Sequence, residues 1–423
     1  MHTTTHSAPR IERRALYRLP WTSTDNPGGW IEVSDQCDLT CRGCYRHRLE
    51  GHRRLEDVLA DVVVCQEITN CDAMAIAGGE PLIYPHIVEV VRFVAARGLK
   101  PAIYTNGNAL TRNLCLSLKQ AGLSKFHFHI DSGQERPDWS GRSEAELNVL
   151  RERYADLVAS VGGIQCGYHV TVSRRNLGEL PAIMEWCQKN IRKVHHVSFL
   201  AFRTIPLDGR FDYYAGGRRW DLSGLQNSTA EPEEEPVTTE DMFGILEGRC
   251  AGMRPAMYLD GTALTQSNKY LIAVSLGSDH GIYGHLGAKA LELAQALYHL
   301  TRGRYLAFAT NPIVGGAIFL LGAFDREVRR AFRNFARLAL KDPSCLFAPI
   351  LAQSVHFQQP VEIVDGKVNL CDGCLNMMVY KGRLINSCRM DEYRMLGGLI
   401  VPVRHATDHT SPREQEVRDG AIA

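Results

Sequence analysis

Between Ile31 and about Phe202 the chain alternates short apolar runs with longer amphipathic ones, the signature of repeated βα units around a parallel sheet. Six strands are predicted: Ile31–Ser34, Ala73–Ala77, Pro101–Thr105, Phe126–Ile130, Gln165–Val172 and His196–Ala201. Between them, apolar residues recur at three- and four-residue spacing over Leu55–Ile68, Pro85–Arg97, Arg112–Ala121, Glu144–Val161 and Leu177–Lys189, so these stretches read as helices. Six units fall short of the eight that close a full barrel. The expectation is an α/β chain built on a partial (βα)6 TIM-like barrel over residues 29–227, behind an N-terminal segment 1–28.

Past Arg203 the pattern changes. Residues 228–241 (STAEPEEEPVTTED) are acidic, contain proline and carry almost no large apolar residue, so they read as a linker. Residues 242–360 are expected to form a mostly helical insertion, with Ala288–Leu300 and Asp325–Leu340 as its clearest amphipathic stretches. The apolar run Pro312–Phe324 is too short for a membrane span, which needs about 20 residues, and is read as a core or pocket helix. Residues 361–404 read as a small α+β extension of short strands broken by the Asp365-Gly366 and Lys381-Gly382 turns. The charged tail 405–423 is expected to be disordered.

Charge and cysteine usage narrow the function. Forty-eight Lys and Arg against 47 Asp and Glu leave a formal net charge of +1, without the basic field that neutralises nucleic-acid phosphates. Met1–Arg14 lacks the apolar core of a signal peptide, so a cytoplasmic location is expected. Thirteen cysteines are many for a reducing compartment. Six fall into two groups, Cys37, Cys41 and Cys44 near the start and Cys371, Cys374 and Cys388 near the end, and clustered cysteines in such a setting read as metal ligands.

The first group places three thiols directly after a strand, at the barrel end where such folds carry their chemistry. Three thiolates without a fourth nearby suit a cubane iron–sulfur cluster with one iron open to an exogenous ligand. A zinc knuckle is the alternative. After the second strand comes Ala77-Gly78-Gly79-Glu80-Pro81, where glycines free the backbone for a close approach.

The CxxxCxxC pattern after the first strand, with GGEP after the second, resembles the radical S-adenosylmethionine superfamily over about Gly29 to Phe202. The resemblance implies a [4Fe–4S] cluster on Cys37, Cys41 and Cys44. S-adenosylmethionine would chelate its fourth iron, and Gly78, Gly79, Glu80 and Pro81 would form the turn at the methionyl amine. It further implies reductive cleavage to a 5′-deoxyadenosyl radical, an electron donor such as flavodoxin or ferredoxin, and hydrogen abstraction from a small organic substrate. Asn106, Asp131, Thr171 and Asn176, at strand ends, are candidates for the ribose, adenine and substrate; turn chemistry accounts for the same residues. The family usually has an aromatic residue before the third cysteine, where this chain has Gly43, and Tyr45 is the candidate substitute. A glycine there is similar to hopanoid- and lipid-modifying branches.

Cys371, Cys374 and Cys388, spaced CxxC-x13-C, resemble the auxiliary-cluster region of twitch- or SPASM-type members, with zinc again the alternative. The missing fourth ligand is sought in Cys250 first, then in Cys345 or the substrate itself. The polar run Arg389–Arg394 reads as a second shell or a solvated helix start, and Gly277–His285 as a substrate loop or a plain surface loop. The helices from Leu286 to Leu340 are expected to line a pocket for a lipid, isoprenoid or other hydrophobic molecule. A peptide-modifying radical enzyme and a non-enzymatic zinc- or cluster-binding module are the other readings.

Overall fold

The computed structural model describes residues 11–42, 44, 46, 50–203, 210–222, 236–250 and 252–405. In chain order its strands are β1 (Tyr17–Arg18), β2 (Gly28–Ser34), β3 (Ala73–Gly78), β4 (Lys100–Thr105), β5 (Lys125–His129), β6 (Gln165–Val172), β7 (His196–Ala201), β8 (Phe211–Ala215), β9 (Arg218–Trp220), β10 (Met257–Asp260), β11 (Asn268–Ser278), β12 (Gly281–His285), β13 (Leu351–Gln358), β14 (Glu362–Val364), β15 (Lys367–Asn369), β16 (Met377–Tyr380), β17 (Arg383–Asn386) and β18 (Val401–Arg404). The helices are α1 (Leu55–Thr69), α2 (Ile87–Ala96), α3 (Arg112–Gln120), α4 (Glu144–Val161), α5 (Leu180–Lys189), α6 (Thr239–Leu246), α7 (Ala288–Arg302), α8 (Arg326–Lys341) and α9 (Met390–Leu396).

Strands β2 to β7 pair in sequence order, all parallel, each joined to the next by one of α1 to α5. The sheet then continues through β13, parallel to β7, and through antiparallel β11 and β10 to β1 at one edge; β16 and β17 extend it beyond β2 at the other. It does not close. Local chemistry sets the helix starts: Ser143 and Glu146 form a capping box for α4, Thr238 and Asp241 one for α6, and the Asp325 carboxylate accepts from the first turn of α8. The outward faces of the barrel strands, such as Phe126 and Phe128 on β5, pack with Val158, Leu150 and Tyr154 of the helical layer. A second core joins α7 and α8 to β10 and β11 through Leu259, Ile272, Leu276, Leu291, Val328 and Ala331.

Residues 242–360 are not the mostly helical insertion expected. They hold α7 and α8, but also β10 to β13, which enlarge the barrel sheet itself. The reason is burial: β11 is covered on both faces, so it reads as a continuous apolar run, which periodicity does not separate from a buried helix. Pro312–Phe324 is no core or pocket helix. It carries a 3-10 turn over Gly316–Ala323 that leaves Ile313, Leu320 and Phe324 exposed. Gly277–His285 is the β11–β12 hairpin, with Ser278 and Tyr283 buried against each other. The acidic stretch up to residue 235 and the tail from residue 406 lie outside the described residues, while Thr239–Leu246 begins inside the expected linker as α6. Among the described residues no helix is long and apolar enough to cross a membrane.

Candidate active site

Both cysteine groups open onto one cavity. Cys37, Cys41 and Cys44 line it together with Cys371, Cys374 and Cys388, and Gly78, Gly79, Glu80, Asn106 and Thr171 are part of the same lining. The first loop follows β2, and the Gly78-Gly79 turn after β3 is what seats it. Gly79 N–H donates to the Ser34 carbonyl at 2.7 Å and Glu80 N–H to that of Gln36 at 2.9 Å. A Cβ on Gly79 would run into the Gln36 carbonyl oxygen, and Gly78 holds a φ of +138°, where a side chain is strained. The two glycines therefore serve first to let the cysteine loop approach the second βα turn.

The Glu80 carboxylate is wholly buried and accepts from Leu82 N–H at 2.8 Å, from Asn106 N–H at 2.7 Å and from the Thr105 hydroxyl, tying the second barrel unit to the third. Burial raises its pKa to about 7. Asn106 donates to Asp38 Oδ1 at 2.6 Å and lies 3.9 Å from Cys37 Sγ, so it orients the cysteine loop. Asp131 accepts from Thr171 N–H at 2.8 Å and pairs with His129 Nε2 at 2.6 Å. Burial opposes its ionisation, but the His129 charge prevails and holds the carboxyl below its ordinary range. The Asn176 amide is spent on Glu144 Oε1 and the Thr171 carbonyl, each at 3.0 Å. Pro81, Asp131 and Asn176 stand behind the cavity wall rather than on it. Tyr45 and Gly43 lie outside the described residues.

The second group sits between the sheet edge and the start of α9. Asp372 N–H donates to Asp260 O at 2.9 Å, Gly261 bridges to Cys371, and the buried Asn26 amide donates to the Cys374 carbonyl at 2.8 Å. Cys371 shares its proton with Cys374, and that hydrogen bond lowers the Cys374 thiol to about 7 while Cys371 is pushed up. Burial pushes Cys37 and Cys388 each up to about 11. None of the six is in a disulfide. Each group offers three thiols to the same cavity, a donor set that suits an iron–sulfur cluster.

Cys250 does not join the second group. It follows α6 in the outer helical layer, buried with Met242, Phe243, Leu246 and Met253, and burial pushes its thiol up to about 11. Cys345 is likewise buried, near Tyr283. The Arg389–Arg394 run is not solvated: Arg389 and Glu392 form a buried pair that also receives Arg203, and Arg394 reaches the wholly buried Glu32 of β2 at 3.1 Å. Residues 286–340 contribute nothing to the cavity lining, so the expected apolar pocket between those helices is not the cavity the cysteines face.

Sequence reasoning missed the cavity floor, where Trp30, Tyr104, His127 and His169 join the lining. The available signal was Lys125-Phe126-His127-Phe128-His129, a strand with apolar residues facing outward and polar ones inward. Burial, and then the Lys125 charge, hold His127 well below the ordinary imidazole range, and burial with neighbouring cations does the same for His169 and His196.

Residues 31–159 match the family model described as the Radical SAM superfamily. A probable GTP 3′,8-cyclase of Methanocaldococcus jannaschii is 22% identical over 227 residues, 50% of this chain and 69% of that one. An AdoMet-dependent heme synthase of Methanosarcina barkeri is 30% identical over 135 residues, 30% of this chain and 36% of that one. The crystal structure of Streptococcus suis SuiB aligns over 52% of this chain and 45% of its own, with a TM-score of 0.37 and 14% identity. The family match falls on the strands and turns that carry the first cysteine loop and the Gly-Gly-Glu-Pro turn, so over residues 31–159 the chain is similar to the radical SAM superfamily, whose members bind a [4Fe–4S] cluster and S-adenosylmethionine.

Proposed function

We propose that this chain reductively cleaves S-adenosylmethionine and directs the chemistry onto a small organic substrate held between its two cysteine groups. The observation that carries the reading is that Cys37, Cys41 and Cys44 face the same cavity as Cys371, Cys374 and Cys388. When bound, the cluster on the first group and S-adenosylmethionine would supply a 5′-deoxyadenosyl radical able to abstract hydrogen, with an electron from a donor such as flavodoxin or ferredoxin.

The chain's own residues hold and shield. Asn106 and the Gly78-Gly79 turn keep the cysteine loop over the strand ends, and Glu80 braces that turn against β4. Gly78, Gly79, Asn106 and Thr171 line the cavity and are the candidates to meet S-adenosylmethionine. Pro81, Asp131 and Asn176 act behind them as positioning residues. Cys371, Cys374 and Cys388 would hold an auxiliary cluster with an iron open towards the substrate. The polar floor of Tyr104, His127 and His169 favours a substrate that presents oxygen or nitrogen atoms there. Compounds of that kind are named for the similar GTP 3′,8-cyclase and heme synthase.

Anaerobic reconstitution tests this. Reduced protein should release 5′-deoxyadenosine from S-adenosylmethionine, and Cys41→Ala should release none while Cys374→Ala still does. A wild-type protein that carries its iron and sulfide but releases no 5′-deoxyadenosine under competent reduction overturns the proposal.

A further inference from the structure

Barrel interiors of this class are ordinarily filled by layers of branched apolar side chains. Here a continuous run of neighbouring strands puts Tyr104 of β4, His127 of β5, His169 of β6, His196 of β7, His356 of β13 and Tyr270 of β11 together instead. Tyr104 stacks on His127 with centroids 4.3 Å apart, His127 lies 4.9 Å from His169 and 4.8 Å from His196, and His196 lies 4.3 Å from His356. One ring nitrogen each of His127, His169 and His196 fall within 4.8 Å of one another. The His127 Nδ1 to His169 Nε2 distance is 3.1 Å. Nitrogens that share one tetrahedral zinc, with bonds of roughly 2.0–2.1 Å, sit about 3.4 Å apart, so the third has at most about 1.4 Å to close.

We infer that His127, His169 and His196 form a mononuclear site for a divalent transition metal of the zinc class, separate from both cysteine groups, with an open position towards the cavity. Three imidazoles suit zinc, ferrous iron or cobalt and disfavour the hard cations magnesium and calcium. The other ring nitrogen of a metal-bound histidine is ordinarily held by a hydrogen-bond partner, and His196 Nδ1 has one in Ser354 Oγ at 2.8 Å. His356 pairs with the Tyr270 hydroxyl and stands beside His196 as a supporting residue. Three uncharged donors leave the dication favouring an anionic or carbonyl oxygen as its fourth ligand, and His127 and His169 line the cavity where a substrate would offer one. This site binds and polarises substrate oxygen; it takes no electrons.

The test uses the anaerobically reconstituted full chain, stripped of loosely held metal and given one equivalent of zinc chloride. Zinc content and the zinc X-ray absorption edge are then read, independently of 5′-deoxyadenosine release. We expect one zinc per chain with nitrogen and oxygen neighbours at about 2.0–2.1 Å and none of sulfur, and binding weakened at least about tenfold in His127→Ala and His196→Ala. Unchanged iron content and circular dichroism establish that those variants fold. No retained zinc, zinc with sulfur neighbours at about 2.3 Å, or folded variants that bind like wild type each overturn the site. If the variants do not fold, the wild-type spectrum decides.

A second inference rests on a different face. Of the exposed large apolar residues among the described residues, Ile313, Leu320, Phe324, Phe332, Leu340, Leu346 and Phe347 all fall within residues 313–347, with Leu320, Leu340 and Phe347 76%, 86% and 89% exposed. Ile313 and Phe324 flank the Gly316–Ala323 turn, and the others belong to that turn, α8 and the Pro343–Phe347 turn, with α8 packed on both turns. Helix α8 carries Arg326, Arg329, Arg330, Arg333, Arg337 and Lys341 against the single acid Glu327. Exposed aromatic and leucine side chains beside arginines match the apolar and anionic character of an anionic bilayer interface. The geometry points to this face as a surface that lies on anionic membranes.

Co-sedimentation of the full chain with vesicles should show binding to mixed phosphatidylcholine and phosphatidylglycerol and little to phosphatidylcholine alone. Added salt should weaken it, and the surface change Leu320→Asp with Phe347→Asp should abolish it. Absence of sedimentation, equal binding to both vesicles, or binding unchanged in the double variant overturns the assignment.

Discussion

The two cysteine groups face one cavity but are held by opposite means. Cys37, Cys41 and Cys44 lie on a single loop whose supports come from adjacent barrel units: Ser34 and Gln36 bonded to the Gly79 turn, and Asp38 to Asn106. Cys371, Cys374 and Cys388 are held by contacts from far along the chain, with Asn26 on the Cys374 carbonyl, Asp260 under Asp372, and Arg203 near Cys388. The first group is thus a product of local βα chemistry. The second exists only once both ends of the chain have met, which makes it the group most exposed to destabilisation elsewhere.

The contrast is broken most completely by removing one thiol from each side. Cys41→Ala should abolish 5′-deoxyadenosine release, whereas Cys374→Ala should keep it while losing about four irons, since a four-iron cluster leaves as a unit; iron analysis beside product quantification reads both. Loss of cleavage in both variants would mean that the groups are not independent.

The link between the two regions comes next. Glu32 on β2 is wholly buried and takes Arg46 at 3.2 Å and Arg394 of α9 at 3.1 Å. Glu32→Gln removes the wholly buried one of the carboxylates these guanidinium groups share, Asp35 remaining beside both, and denaturant unfolding should show a loss of about 2–3 kcal/mol. A change near zero would mean that α9 docks without this network.

Glu80 supplies a pH signature for the first region alone. Its pKa is raised from the ordinary 4.5 to about 7 by burial, so between those values the folded chain holds a proton that the unfolded chain has released. Stability from this residue is therefore full below about pH 4.5 and falls as pH rises towards 7, by up to about 1.4 kcal/mol per unit. Unfolding midpoints measured across that window should lose this slope in Glu80→Gln.

Smallest is Asn26→Ala, which removes a buried amide that donates to Cys374 O and Thr22 O and accepts from Gly28 N–H. A cost of about 1–3 kcal/mol is expected, with iron lost from the second group before the first. Equal loss from both would erase the distinction between a local and a long-range site.

Legibility in the sequence followed the same division. Gln165–Val172, His196–Ala201 and Glu144–Val161 are strands and a helix at the residues that periodicity assigns, because each is specified by its own alternation and caps. Leu351–Gln358 escaped that reading although it alternates buried and half-buried residues, because the stretch before it is helical and its partner, β7, lies far back in the chain. Cys250 had a plausible local setting between glycines, and its true place under α6 depends on which helix covers which strand.

By itself the sequence determined the βα order of the first two hundred residues, the first cysteine loop and the turn that seats it, because strand, helix and turn preferences act over a few residues. Only the tertiary structure decided that β10 to β13 enlarge the sheet, that Arg389 and Glu392 are buried, and that His127 and His169, 42 positions apart, meet at the cavity. Those outcomes turn on strand register and on desolvation of groups distant in sequence, quantities that no local pattern of residues encodes.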